Sequence, residues 1–102
     1  MRVIVMFDIP TKTKKERKSA SKFRNSLIKR GFFMMQYSVY MRICKGCSSA
    51  NASVDKLVDI APPRGNIRAL IITEKQFDNI KLILGDCSYQ EKVSKPKQLT
   101  LF

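Results

Sequence analysis

Residues 2–9 read Arg2-Val3-Ile4-Val5-Met6-Phe7-Asp8-Ile9, and Pro10 follows directly. From Val3 to Phe7 the run is apolar without a break, rather than alternating with polar residues. A strand of that kind is covered on both faces, so 2–9 reads as the central strand of a sheet. Pro10 ends it, because proline has no N–H to give to a ladder. The stretch also carries Asp8 and lacks a small-residue cleavage site, so it is read as a strand and not as a signal peptide.

Working outward, Thr13-Lys14-Lys15-Glu16 has the form of a capping box. It predicts a helix over 14–30, with Ala20, Phe23, Leu27 and Ile28 at helical spacing as its buried stripe. Gly31 supplies a left-handed stop, and Lys29 and Arg30 suit the negative end of the helix dipole. Residues 32–43, FFMMQYSVYMRI, are rich in aromatic and β-branched side chains. They are too many for one strand and read as two, bending near Gln36 to Ser38, with no glycine to signal the turn. A polar loop holding Gly46 leads to a second helix, capped by Ser49 or Asn51, with Val54, Leu57, Val58 and Ala61 as its stripe. Pro62 and Pro63 end that helix.

Residues 66–73, NIRALIIT, read as another strand. Thr73-Glu74-Lys75-Gln76 is a second capping box and opens a short helical turn through Ile80. Residues 81–84 read as a short strand closed by Gly85. Residues 1–85 thus form one domain, and 86–102 a polar tail whose last four residues, LTLF, return to strand-like composition. The order β, α, β, β, α, β gives an α+β, ferredoxin-like sandwich with an extra C-terminal strand. Both helices cover one face of such a sheet. The other face is left bare and partly apolar, which predicts a two-fold homodimer joined sheet to sheet. The LTLF strand then suits the edge of the partner's sheet.

At 102 residues the chain can bury one core, and its apolar fraction of 44% is that of a globular protein. No apolar stretch is long enough to span a membrane, so the expectation is a cytoplasmic protein without a membrane partner. Histidine is absent. That excludes Ser-His-Asp and Cys-His catalysis and imidazole-ligated metal. The cysteines are Cys44, Cys47 and Cys87. An odd number argues against a disulfide framework, and the Cys44-Lys45-Gly46-Cys47 pair lacks the second half of a zinc site.

Charge is the strongest bulk signal. Twenty Lys and Arg stand against eight Asp and Glu, a net +12. Such an excess points to a polyanionic partner, of which phosphate chains are the commonest. Nine of the bases lie between Lys12 and Arg30, opposed by Glu16 alone. Like charges four apart, Lys14 with Lys18 and Lys18 with Lys22, weaken a helix by a few tenths of a kcal/mol. A helix that carries them either presents a solvated face or binds phosphates. The second reading assigns nucleic-acid contacts to Lys12, Lys14, Lys15, Arg17, Lys18, Lys22 and Arg24. Contacts of this sort hold a backbone and do not read bases.

Asp8 ends the first strand ahead of that helix. A carboxylate beside a phosphate-binding surface is repulsive unless a cation bridges the two. Mg²⁺ does so with few protein ligands. One Asp makes a poor site, but across a two-fold axis two copies of Asp8 could share one or two ions that activate water against a phosphodiester. Asp8 equally suits the cap of the following turn.

The opening MRVIVMFDIPT, the basic helix ending KRGF, the stretch Gln36-Tyr37-Ser38-Val39-Tyr40 and Thr73-Glu74-Lys75-Gln76-Phe77 together resemble the CRISPR-associated Cas2 family. The form is similar to members found beside the large RNA-guided effector nuclease, and the likeness covers residues 1 to about 85. The resemblance implies a ferredoxin-like homodimer. It implies association with the CRISPR integrase, with this dimer at the centre carrying the duplex DNA to be inserted as a new spacer. It also implies a Mg²⁺-dependent endonuclease, with Mn²⁺ as a substitute, whose catalytic and metal-binding aspartate matches Asp8. Some relatives have arginine just before Gln-Tyr-Ser-Val, where this chain has Met34 and Met35, and many have tyrosine where this chain has Phe7. The competing readings are an autonomous, toxin-like metal-dependent ribonuclease and a non-catalytic ferredoxin-like module for single-stranded RNA. For the latter, Arg30 to Tyr37 resembles an RNA-recognition signature but follows the first helix instead of forming the third strand.

Overall fold

The uninterrupted apolar run becomes β1, Arg2–Asp8, and lies inside the sheet as its pattern requires. A computed structural model describes residues 1–85. After β1 come α1 (Lys14–Lys29), β2 (Phe33–Gln36), β3 (Val39–Ile43), α2 (Cys47–Lys56), a 3₁₀ turn (Leu57–Ile60), β4 (Asn66–Ile72) and α3 (Glu74–Asp78). The four strands form one sheet in the order β2-β3-β1-β4, every neighbouring pair antiparallel. This is the α+β, ferredoxin-like arrangement that the element order implied. The tail 86–102, with Cys87 and the strand expected at LTLF, lies outside the described residues.

Alternation along β1 sorts the core into two layers. Val3, Val5 and Phe7 face the long helices and pack with Phe23, Leu27, Tyr40, Ala50 and Leu57. The Phe7 and Phe23 rings meet edge to face at 5.0 Å between centroids, a favoured aromatic geometry. Ile4 faces the other way, into a smaller cluster with Met41, Ile72 and Phe77. That back face is covered at one end by α3 and opens towards the other, where Met6 is 40% exposed.

Arg2 also points to the back face and is 1% exposed. Its Nε and Nη2 donate to both Glu74 carboxylate oxygens at 2.8–3.1 Å. Its guanidinium lies 3.7 Å from the Phe77 ring centroid, and Nη1 approaches the Met41 sulfur at 3.7 Å. A buried guanidinium is tolerable when its donors are satisfied in this way. The Arg2 hydrogen bonds hold the Glu74 carboxyl below its ordinary range, against the opposing effect of burial.

Local rules hold for α1. Both halves of the Thr13/Glu16 capping box are present, Ala20, Phe23 and Leu27 are its buried residues, and Gly31 follows at φ 92. Ile28, expected in the buried stripe, is 57% exposed. The hairpin bends at Gln36 to Ser38 as expected, with Ser38 at φ 61 taking the role of the missing glycine. The second capping box, Thr73/Gln76, is also formed.

Other expectations fail. The second helix begins at Cys47 with Gly46 as N-cap, not at Ser49 or Asn51. Asn51 Nδ2 instead donates to the Cys47 carbonyl and Ser53 Oγ to the Ser49 carbonyl. These are bonds back into the helix that such side chains make in its interior. The tightening to 3₁₀ at Leu57 then breaks the expected stripe: Leu57 is buried, while Val58 is 78% exposed. Residues 81–84 form no strand either. Ile83 and Leu84 are 83% and 93% exposed, and no described strand offers them a ladder to join.

Glu74 is the acid-sensitive point of this architecture. A carboxyl lowered in the folded state contributes stability above its unfolded value, near 4.5, and loses it as pH falls through the folded value. Glu74→Gln is expected to cost about 1–2 kcal/mol at pH 7, limited because the carboxylate is half exposed. It should also flatten the fall in Tm between pH 5 and pH 3. Calorimetry across that range, comparing the variant with wild type, measures both effects.

Candidate nucleic-acid interface

Lys14, Lys18 and Lys22 recur every four residues along α1, and Lys29 follows seven later. At about 3.6 residues per turn they share one ridge, on the side away from the buried Ala20, Phe23 and Leu27. All four are exposed, as are Lys12 and Lys15 at the helix entrance. Two of the sequence-predicted cations sit differently. Arg17 Nη1 donates to the carbonyls of Thr11 and Lys12 at 3.2 and 3.0 Å and so braces the β1–α1 loop. Arg24 lies half-buried on the flank, with Nη2 on Ser21 Oγ. Glu16 is taken up by the cap, where the Thr13 backbone N–H holds its carboxyl below the ordinary range, and it lies 3.9 Å from Arg64. It therefore leaves the charge of the lysine ridge largely uncancelled.

Asp8 is exposed at the last position of β1. Two neighbours fix that strand end. The Phe7 N–H donates to the Ser38 carbonyl at 3.0 Å, tying the β2–β3 turn to it. On the other side Asp8 pairs with Asn66, the first residue of β4. Chain passage into β4 depends on Gly65, which has φ +115, and a Cβ there would lie 2.6 Å from the Asp8 carbonyl oxygen. Tyr37, on the adjacent turn, is 91% exposed.

Parity along β1 places Asp8 with Ile4 and Met6, on the back face of the sheet. The lysine ridge faces outward from the opposite layer. The structure thus brings the strand-end aspartate and the start of the basic helix to one end of the molecule but to opposite faces, while the helix ends near Arg42, which pairs with Val3 at the far end of β1. A cavity of about 360 Å³ lies by the β1–α1 loop, lined among others by Ile9, Pro10, Lys15, Pro62 and Pro63. Asp8 does not line it.

The donor set at Asp8 is hard oxygen, which suits Mg²⁺, but one carboxylate per chain makes half a site. Among the described residues no group of three Cys, Asp or Glu could hold an ion. Cys44 is buried and Cys47 exposed, both as free thiols. No helix of the described residues is long and apolar enough to cross a membrane.

Fold and site together define a small ferredoxin-like α+β domain with a cationic helix on one layer and an exposed strand-end aspartate on the other. The family described as CRISPR associated protein Cas2 matches residues 1–80, and the chain belongs to it. A protein of Campylobacter jejuni named CRISPR-associated endoribonuclease Cas2 is 64% identical over 102 residues, all of this chain and 71% of that protein. Proteins of the same name from Parvibaculum lavamentivorans and Ligilactobacillus salivarius are 44% and 42% identical. The first covers the whole of both chains, the second 83% of this chain and 84% of its own.

Gly65 gives the geometry of this site a direct test. Gly65→Ala combines a positive φ with a backbone clash and is expected to cost about 1–3 kcal/mol. Urea denaturation measures the loss, and a midpoint equal to that of wild type would show that the Asp8 strand end does not need this close approach.

Proposed function

We propose that this chain is a CRISPR adaptation protein that binds duplex DNA as the dimeric centre of the integrase complex for spacer acquisition, and that it also carries a metal-dependent endonuclease activity. The observation behind this reading is that Asp8 stands at the open end of an incompletely covered sheet face. On that face Met6 and Leu70 are 40% and 49% exposed, and Ile43, across from Arg2, is 48% exposed. Apolar side chains grouped on one sheet face favour association, and a second copy is the partner that needs no further component. A two-fold axis through that face would set Asp8 near its counterpart. The endonuclease reading draws also on the name carried by the relatives, and RNA is the substrate that name gives for them.

The two faces suit two tasks. On the helix layer, Lys14, Lys18, Lys22 and Lys29, with Lys12 and Lys15, would hold a phosphate backbone by charge, without reading bases. On the back face, Asp8 and its counterpart would hold Mg²⁺ or Mn²⁺, which when bound supplies Lewis-acid polarisation of a phosphodiester. Hydrolysis adds water across one P–O bond. The water oxygen bonds to phosphorus, and the bond to the leaving sugar oxygen breaks with its electron pair. One water proton ends on that oxygen and the other in solvent. Asp8 would orient the water and draw its proton in that step.

Three measurements test this. Lys14, Lys18 and Lys22 changed together to alanine should lower the slope of log K against log salt for duplex DNA by about 2–3 units, as three phosphate contacts are lost. An unchanged slope would remove the ridge from the interface. Asp8→Asn should reduce Mg²⁺-dependent cleavage of single-stranded RNA or duplex DNA by about 100-fold or more, with dimer and duplex binding retained. Equal cleavage by variant and wild type would refute the role of Asp8. Spacer acquisition that persists in Asp8→Asn while cleavage is lost would separate the scaffold from the nuclease.

A further inference from the structure

We propose that Arg68 is the cation of the Asp8 face and binds the phosphate on which Asp8 acts. The proposal rests on the cleavage reading above and adds a residue to it. The register of β1 and β4 carries the argument. Asp8 pairs with Asn66 and Met6 with Arg68, so Asp8 and Arg68 lie diagonally across neighbouring strands and project from the same face. Diagonal neighbours of this kind stand about 7–8 Å apart, within reach of an arginine side chain.

Arg68 differs from the other cations in this respect. The strand positions that share the back face are residues 2, 4, 6 and 8 of β1, 66, 68, 70 and 72 of β4, 39, 41 and 43 of β3, and 33 and 36 of β2. Arg2 and Arg68 are the cations among them. Arg2 is buried and committed to Glu74 at the far end of the face. Arg68 is exposed, and among the described residues it makes no ion pair. The lysine ridge projects from the opposite layer and cannot serve this face. Asp8 and Arg68 do not pair with each other either, although they carry opposite charges on one exposed surface. A phosphodiester between them, with a cation on the Asp8 side, satisfies both.

A guanidinium offers a planar fork of donors that matches two non-bridging phosphate oxygens. Held beside the scissile group, it would neutralise the charge that grows there as water adds to phosphorus. Arg68 takes no proton and forms no bond in that step. Its contribution is to place the phosphate against Asp8 and to stabilise its negative charge.

The experiment compares wild type, Arg68→Ala, Arg68→Lys and Asp8→Asn as full chains. Cleavage of a single-stranded oligoribonucleotide and of duplex DNA is measured with Mg²⁺ and with Mn²⁺. Binding of the same oligoribonucleotide is measured in EDTA against salt, and oligomeric state by sedimentation. Arg68→Ala is expected to lower the cleavage rate about 100-fold, with Arg68→Lys intermediate because it keeps the charge and loses the fork. In EDTA the salt slope of Arg68→Ala should fall by about 0.7, one single-strand phosphate contact. Wild-type cleavage and slope in Arg68→Ala, with Asp8→Asn inactive, would overturn the role of Arg68 and leave the nuclease reading standing. Loss of the dimer in both Arg68 variants would make Arg68 an interface residue and overturn it too. Absence of cleavage by wild type with either metal would overturn the nuclease reading and this assignment together.

Discussion

A buried arginine at the start of the first strand governs the back of this protein. Arg2 cannot lie inside the fold unless its charge is compensated, and from the first and fourth residues of α3 Glu74 accepts from its Nε and Nη2 while the Phe77 ring lies under its guanidinium. The charge therefore recruits a helix from 72 residues further along the chain. It docks that helix over one end of the sheet, where Phe77 completes the cluster of Ile4, Met41 and Ile72. Removing Glu74 would take from the buried guanidinium the carboxylate that holds both its Nε and its Nη2.

What α3 covers also defines what it leaves open. The helix is five residues long and its reach ends near Ile4. Beyond it, Met6, Leu70, Arg68 and Asp8 share the uncovered half of the same face. One end of the back face is thus closed by a satisfied charge and the other presents apolar surface with a carboxylate and a guanidinium. The helix layer shows no such division, since Phe7, Phe23, Leu27 and Tyr40 fill it. Its outer surface can then carry a row of like charges, because the stability of α1 comes from packing and from its cap rather than from pairs along that ridge. Arg17 and Glu16 brace the loop that precedes the helix.

Features set by rules acting within a few residues were legible in the amino-acid order. The unbroken apolar run 3–7 made β1 an inner strand, Thr13 and Thr73 began helices through their own side chains, and Gly31 ended one. Asp8 and the ridge lysines were visible as candidates for the same reason: a strand end and a four-residue spacing are local. The family likeness was carried by these same short motifs. The tertiary structure decided what such rules cannot reach. Arg2 looks like one more surface cation until the fold supplies Glu74, and Val58 leaves its stripe because the helix tightens to a 3₁₀ turn. Residues 81–84 have strand composition but no ladder among the described strands. Above all, alternation says that Asp8 and Phe7 point to opposite faces but not which face the helices will cover. It says nothing of register, and a shift of one residue would have turned Arg68 away from Asp8. Those choices belong to packing between distant segments, where burial and the pairing of charge outweigh the preference of any single residue.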